Sequence, residues 1–268
     1  MIAHFYQNLK HYFFWLFLFS ALSLQAQQTK NQRDAQGKKQ GYWEAVDREG
    51  KLVYSGTFKD DKPIGEMKRY HPKGGVRVIM LHKENSAKAF SRFFWQNGEL
   101  AAEGNYIGNK RDSVWTFYSY YTHQQSYQQM YENGMRNGKS QSFYATGSIN
   151  EELSWVNDRK EGNWQQFFEN GQLKLTATYR NNRLEGDYIV YYPDGKKETA
   201  GQYRNGAPDG DWTYYNPNGN VATVIVYKNG KILNEDKLTE EQQKFFAKVE
   251  AKKGTIKEPD IDDFTKER

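Results

Sequence analysis

Histidine and cysteine, the residues that most often bind metals or act as nucleophiles, are scarce in this 268-residue chain. It has no cysteine, and beyond its first 26 residues only His71, His82 and His123 remain. None of them forms a His-x-x-x-His pair, and without cysteine a zinc site would need carboxylates brought together by the fold. We therefore expect no metal site.

The pattern of acidic residues and the lack of known catalytic motifs likewise predict no catalytic site. Asp60-Asp61, Glu151-Glu152 and Asp262-Asp263 are adjacent pairs, and neighbours along a strand point to opposite faces, so adjacency does not predict an acid–base pair. The chain has no nucleophile elbow, phosphate loop or dinucleotide fingerprint. We predict a non-enzymatic protein without a cofactor.

The elements that carry these residues follow a 24-residue repeat. Two degenerate copies, starting at Ala89 and Ser113, fill the one long gap between the leading glycines, and the second contains one extra residue. A period of this size indicates an array of small units. The leading glycines are Gly41, Gly65, Gly138, Gly162, Gly186 and Gly210.

Each copy is predicted to be a β-hairpin. Aromatic residues occupy its third and sixth positions, and a second glycine, often after Asn or Asp, occupies the tenth. Asn-Gly and Asp-Gly between aromatic runs signal a turn because both residues tolerate positive φ. The predicted structural core includes Trp43, Trp115, Trp164, Trp212, Phe167, Tyr191 and Tyr215.

Stacked hairpins bury apolar rows that a lone hairpin cannot. We therefore predict an all-β fold: an elongated antiparallel meander of about eight 24-residue β-hairpin repeats, roughly 80 Å long at the usual strand spacing. Thr239-Glu240-Glu241-Gln242 matches a capping box, and Phe245, Phe246 and Val249 follow at helical spacing. This pattern predicts a C-terminal capping helix over residues 239–253.

The repeat resembles the MORN-repeat variant family, whose bacterial members are also described as YwqK-type antitoxins. The resemblance is clearest over residues 161–220, where Gly-x-(Trp/Tyr)-x-x-(Phe/Tyr) followed by (Asn/Asp)-Gly recurs three times, and it covers roughly residues 37–231. It implies an open, twisted hairpin array used for binding or scaffolding. The copies at Ala89 and Ser113 depart from the pattern because they lack the leading glycine.

The chain divides into four predicted segments. Residues 1–26 combine Lys10 and His11 with a short apolar run and small residues, which is typical of a signal peptide. The alternative is a retained membrane anchor, although the run is short for a span. Residues 27–36 form a short linker, residues 37–234 the array, and residues 235–268 the C-terminal helix and a flexible tail. We expect an exported protein, periplasmic or extracellular, with no transmembrane span after leader cleavage.

The charge distribution argues against nucleic acid as a partner and leaves an anionic lipid or glycan as an alternative. The array is mildly basic and lacks the clustered Lys and Arg of a nucleic-acid-binding domain. Its densest basic stretch runs from Lys68 to Arg77. Solvated strand faces explain this stretch, and the alternative is a site for an anionic lipid or glycan at Arg69 and Arg77.

The stretch from Ser113 to Tyr131 contains no charged residue and is rich in Tyr and Gln. Amphipathic rings of this kind are typical of interfaces. Tyr120, Tyr121 and Tyr127 fall outside the repeat pattern, and we predict that they bind a partner.

These observations favour an exported repeat protein that presents an extended surface to a protein or a cell-envelope component. The alternatives are an antitoxin or immunity protein that neutralises a toxin and a lipid- or glycan-binding module.

Overall fold

The computed structural model describes residues 29–238 and Glu240 of the chain. In this part the structure is a 19-stranded sheet followed by one 3-10 turn. The strands are β1 (Gln32–Arg33), β2 (Lys39–Val46), β3 (Leu52–Lys59), β4 (Lys62–Tyr70), β5 (Val76–His82), β6 (Lys88–Phe94), β7 (Leu100–Ile107), β8 (Lys110–Tyr118), β9 (Gln125–Glu132), β10 (Met135–Phe143), β11 (Ile149–Val156), β12 (Arg159–Phe167), β13 (Leu173–Arg180), β14 (Arg183–Leu184), β15 (Gly186–Tyr191), β16 (Lys197–Arg204), β17 (Ala207–Tyr215), β18 (Val221–Lys228) and β19 (Lys231–Ile232), and the 3-10 turn is Glu235–Lys237.

The sheet is an open antiparallel meander. Strands from β1 to β13 and from β15 to β19 pair in sequence order, and β14 and β15 both pair with β13 as two parts of one strand position. The predicted all-β antiparallel meander is therefore confirmed. Because consecutive connections alternate between the two sides, one edge holds the two-residue turns together with the five-residue connections Asp34–Lys38 and Lys83–Ala87. The other edge, which we name the long-loop edge, holds the remaining loops of five or six residues.

The two kinds of connection use positive φ differently. In the long loop Phe168–Gln172, only Gly171 has a positive φ (84°), while the side-chain Oδ1 of Asn170 accepts a hydrogen bond from the Gln172 N–H at 3.0 Å. The predicted turn at Asn170-Gly171 is therefore present, with the positive φ at glycine. Most two-residue turns differ because both residues take a positive φ, as at Asn181 (49°) and Asn182 (66°).

The leading glycine of a copy makes a β-bulge. Gly65 has a φ of 65°, and the pairing moves from Gly56↔Met67 to Thr57↔Ile64, so β4 accommodates two extra residues. Where Ser113 replaces glycine, it still takes a φ of 62°. Where Ala89 replaces it, the β5–β6 pairs run without a shift. The β-carbon of alanine thus coincides with loss of the bulge, since L-residues resist positive φ.

The core is a row of residues at the third and sixteenth positions of the copies, facing one side of the sheet. Trp43 lies opposite Gly56, which lies opposite Met67. Directly opposed residues share a face. Buried clusters form along this row around Trp43, Trp115 and Trp212. The hydrophobic residues of the sheet therefore pack mainly against their neighbours within a single layer.

The predicted core residues fall into two groups. Trp43, Trp115 and Trp212 are buried, and Trp164 is half-buried. The sixth-position residues Phe167, Tyr191 and Tyr215 are also half-buried. They lie three residues after the third position in the same strand, and this odd separation places them on the opposite face from the buried row.

Basic side chains cover the aromatic rings of the core face. The Lys39 ammonium lies 4.9 Å from the ring centres of Trp43 and Phe58, and the Arg136 guanidinium lies 3.7 Å from that of Trp155. Such cation–π contacts let a single-layer aromatic surface face water.

Both ends of the array extend beyond the predicted boundaries. Within the predicted linker, β1 pairs with β2. At the other end, Leu238 packs on the cluster around Trp212. The predicted signal peptide (1–26), the capping helix (239–253, apart from Glu240) and the tail lie outside the described residues.

Candidate binding surfaces

The loop of the copy that starts at Ser113 differs from the other long loops. Residues Ser119–Gln124 connect β8 and β9 and include the one-residue insertion. The loop closes through hydrogen bonds from the Ser119 N–H to the Gln124 carbonyl (2.8 Å) and from the His123 N–H to the Ser119 carbonyl (2.9 Å). His123 has a φ of 58°, whereas glycine takes the positive φ in the other loops on this edge of the sheet. The insertion is therefore held by a non-glycine residue in a left-handed conformation.

Two tyrosines of this loop join a tryptophan of the β6–β7 loop in a group of three rings, which we name the loop-edge aromatic cluster: Trp95, Tyr120 and Tyr121. Tyr120 is edge-on to Trp95, with ring centres 5.6 Å apart, and edge-on to Tyr121 at 5.4 Å. Tyr120 is 49% exposed and Tyr121 80% exposed, and Trp95 is half-buried beneath them. Two of the predicted binding residues thus form one continuous aromatic surface.

Trp95 occupies a position that elsewhere links one copy to the next. The Tyr144 and Tyr192 hydroxyls donate to the carbonyls of Phe167 (2.8 Å) and Tyr215 (2.7 Å). In contrast, the buried Nε1 of Trp95 has no hydrogen-bond partner among the described residues. Trp95 therefore supports Tyr120 through its ring.

Tyr127 does not belong to this cluster. Its assignment outside the repeat pattern was wrong, because its strand pairing places it beside a core residue. It lies opposite Phe117 in the β8–β9 pairing, and their ring centres are 5.8 Å apart. Its hydroxyl donates to Oε1 of Gln129 at 3.0 Å. The extra residue is accommodated earlier, in the Ser119–Gln124 loop, which returns Tyr127 to the fourteenth position of its copy and to the edge of the core.

The structure does not join Arg69 and Arg77 to the aromatic cluster. Both are exposed, and they flank the loop between β4 and β5, with the β6–β7 hairpin separating them from Tyr120. Arg69 lies opposite Val78, and Arg77 is the unpaired residue of a β-bulge. Nearby, Lys68 forms an ion pair with Glu66 at 2.7 Å. Arg69 and Arg77 are therefore neighbours across β4 and β5, whereas Lys68 is paired with Glu66.

The edge formed by the short turns is a second candidate surface, which the sequence analysis missed. Each turn donates a backbone N–H to a carbonyl next to the preceding turn: Asp158 to Arg136 (3.0 Å), Asn182 to Lys160 (3.0 Å) and Gly206 to Leu184 (2.9 Å). These bonds stack the turns in one line. Basic residues in this line are spaced about 24 residues apart in sequence, so a search for clustered Lys and Arg does not detect them.

An open depression of about 590 Å³ lies on the sheet between β15 and β17, lined by residues including Asp187, Ile189, Ala200 and Thr213. The Asp187 carboxylate accepts a hydrogen bond from Gln202 at 3.0 Å. The depression thus presents a solvated polar surface.

Ionisable side chains along the sheet serve mainly as structural contacts. The Tyr118 hydroxyl donates to the Glu103 carboxylate at 2.8 Å, and burial together with this bond raises the pKa of Tyr118 to about 12. A hydrogen bond from the Asn229 backbone lowers the pKa of Asp209, which is also 3.4 Å from Arg204.

Over residues 29–238 and Glu240, no helix has the length and apolar character that a membrane crossing requires. Within the same part of the chain, no group of three or more His, Asp and Glu side chains is arranged to hold a metal ion.

The fold defines an open β-meander repeat protein, and its two edges are candidate binding surfaces. The family model for the MORN repeat variant matches residues 136–157, 160–181, 184–205 and 208–235. These four consecutive segments, β10 to β19, are MORN repeats, and the family resemblance seen in the sequence is confirmed there.

No curated protein matches the chain in sequence. Among solved structures it is similar to TarM, with 16% identity and a TM-score of 0.28 over 38% of this chain and 20% of TarM. It is also similar to the TcdB2-TccC3-TEV structure, with 10% identity and a TM-score of 0.20 over 70% of this chain and 13% of that one. The chain thus spans a fifth or less of the length of these structures, and no conclusion about activity or partners follows from them.

Proposed function

We propose that the chain is an exported, non-enzymatic repeat protein that uses its extended sheet to bind a protein or another cell-envelope component. The loop-edge aromatic cluster carries this proposal. Tyr120 and Tyr121 expose large rings whose polar tips can form hydrogen bonds, and aromatic residues dominate the binding energy of protein interfaces.

The position of the cluster on the sheet also supports binding. Tyr120 rests on Trp95 of the neighbouring hairpin, so part of the ordering cost of binding is met before a partner arrives. The left-handed His123 in the same loop is the kind of backbone strain that persists where it serves function.

We also propose that the binding surface belongs to an array of eight 24-residue copies closed by the C-terminal helix. The packing of the half-buried Leu238 against the cluster around Trp212 supports a cap in this position, since the last hairpin of an array needs its exposed face covered.

The test uses the mature chain and the double variant Tyr120→Ala/Tyr121→Ala. The variant should keep its melting temperature, because substitutions at exposed sites change stability by about 0.5 kcal/mol or less. A partner captured from envelope extracts by wild type should be lost. The matched control is Val221→Ala/Leu233→Ala, which changes two residues far from the loop that are 57% and 64% exposed. This control should retain the partner. Equal capture by wild type and both variants would refute the role of the cluster.

The captured molecule distinguishes the alternatives. A small secreted toxin whose activity is blocked by the chain would identify an immunity or antitoxin protein. Binding to liposomes or a glycan array that depends on Arg69 and Arg77, and not on the tyrosines, would move the binding surface to the β4–β5 loop.

A further inference from the structure

The last four short turns carry an excess of positive charge. The windows 155–160, 179–184, 203–208 and 227–232 hold seven Lys and Arg residues and one Asp, and Glu161, Glu185 and Asp209 directly follow the first three, which leaves an excess of three positive charges. The four long loops on the opposite edge, 144–148, 168–172, 192–196 and 216–220, hold one Lys and two acidic residues. We name the exposed cations of these turns the basic turn edge: Arg159, Arg180, Arg183, Arg204, Lys228 and Lys231.

The acidic residues next to these turns already bind the backbone. Glu161 accepts the Asn181 N–H at 2.7 Å, Glu185 accepts the Asn205 N–H at 2.7 Å, and Asp209 accepts the Asn229 N–H at 3.1 Å. Each carboxylate holds the turn that follows it. Asp209 also lies 3.4 Å from Arg204 and 3.8 Å from Lys228, so it offsets part of the charge of two cations, while Arg180, Arg183 and Lys231 remain exposed.

The backbone fixes the spacing of these cations. Successive turns are joined by N–H to carbonyl bonds of 2.8 to 3.0 Å, from Asn182 to Lys160, from Gly206 to Leu184 and from Gly230 to Pro208. Two strands separate one turn from the next, so the groups of cations recur about every 10 Å. The edge is therefore a line of regularly spaced positive charge.

We propose that the basic turn edge binds a linear polyanion, a sulfated or phosphorylated polymer that runs across successive turns. Strands in a sheet rotate relative to one another by about 20° each, so a flat membrane reaches only some of the turns, whereas a flexible chain follows them all. The turns themselves consist of Asn, Asp and Gly, which favours charge pairing over an apolar protein interface.

Fluorescence anisotropy with labelled dextran sulfate and with long-chain polyphosphate tests this site. Arg180→Glu/Arg183→Glu/Arg204→Glu should weaken binding at least about tenfold at low salt, and binding by wild type should fall linearly on a log–log scale between about 50 and 200 mM salt. Arg48→Glu/Lys51→Glu/Lys73→Glu changes the net charge equally on the long-loop edge, and we expect a loss below about threefold, since its charges lie away from the line.

Three results would overturn the proposal. The first is no binding of either polymer by wild type, and the second is an equal loss in the two triple variants, which would indicate a net-charge effect alone. The third is tighter binding to phosphatidylglycerol vesicles than to the polymers at equal anionic charge, which would favour a membrane. Tyr120→Ala/Tyr121→Ala should bind the polymers like wild type, so the result is independent of partner capture at the loop-edge aromatic cluster.

Discussion

Gly104 lies directly beneath the indole of Trp115: a β-carbon on Gly104 would be 2.4 Å from the Cδ2 atom of that ring. Gly201 and Trp212 show the same relationship at 2.3 Å. Two large sixteenth-position residues lie opposite a serine of the next copy, in Met80↔Ser91 and Gln129↔Ser140, whereas Leu153 lies opposite Trp164. Large and small side chains thus complement each other across most neighbouring copies, which helps a single layer to reach a packed core.

Gly104→Ala should destabilise the protein by about 1 to 3 kcal/mol or more, because Trp115 is fully buried and has no room to move. Gly56→Ala is the matched control: its β-carbon would meet Met67 at 3.1 Å, and methionine adapts readily. Urea unfolding of the two variants gives the comparison. Equal losses would show that close approach to the indole is not what requires glycine.

Removal of residues 162–185 should leave a folded but less stable protein. The deletion joins Glu161 to Gly186, so the Lys160 carbonyl can accept the Gly206 N–H in place of the Asn182 N–H that it accepts now. Nearest-neighbour coupling predicts survival of the remaining sheet. Removal of residues 162–173 alone deletes most of one strand and the loop after it. Every later short turn would then fall on the long-loop edge, so this deletion should unfold the carboxy-terminal hairpins. Circular dichroism and thermal unfolding of both deletions distinguish nearest-neighbour coupling from a single cooperative core. Loss of structure in both deletions would indicate a single core.

His123→Gly should stabilise the chain by about 1 kcal/mol, because a non-glycine residue in the left-handed region costs about that much. The residue's ion pair with Glu99, 3.7 Å away and exposed, contributes little. In the next copy Gly147 has a φ of 87°, and Gly147→Ala should have the opposite effect. The melting temperatures of the two variants should therefore move in opposite directions, and a drop for His123→Gly would mean that the imidazole makes a contact worth more than the strain.

Stability should fall as the pH rises from 10 to 12. Burial raises the pKa of Tyr203 from 10.0 to about 12 and also raises that of Tyr188. In this window the unfolded chain loses tyrosine protons that the folded chain keeps, so unfolding is favoured; below pH 10 the contribution is complete. Tyr203→Phe should reduce the slope by at most about 1.4 kcal/mol per pH unit. Chemical denaturation across this range gives the slopes, and an unchanged slope in the variant would exclude Tyr203 as a source.

The sequence predicted the meander because its signals are local. Glycine spacing located the connections, and the Trp-rich third position located the buried row at Trp43, Trp115 and Trp212. The prediction grouped the sixth-position aromatics such as Phe167 with this row, although their odd separation from the third position assigns them to the other face of the strand. Because both faces carry an aromatic row, the pattern did not show which row is buried.

The candidate sites were harder to predict for a different reason. Tyr120 and Tyr121 stood out because an insertion breaks the pattern, but Tyr127 returns to the core once the loop has absorbed that insertion. The basic turn edge was missed because Arg180 and Arg204 are 24 residues apart in sequence and become neighbours only when the turns stack.

The stacking of the turns also determines how the sheet would respond to force. A pull between β1 and β19 acts across the strands, so it loads the hydrogen bonds of one strand pair at a time, and the sheet peels from an end. Each released copy would add about 80 Å of extended chain, from 24 residues at 3.3 to 3.6 Å each. Held at both ends, the protein would act as a tether that lengthens in uniform steps at low force.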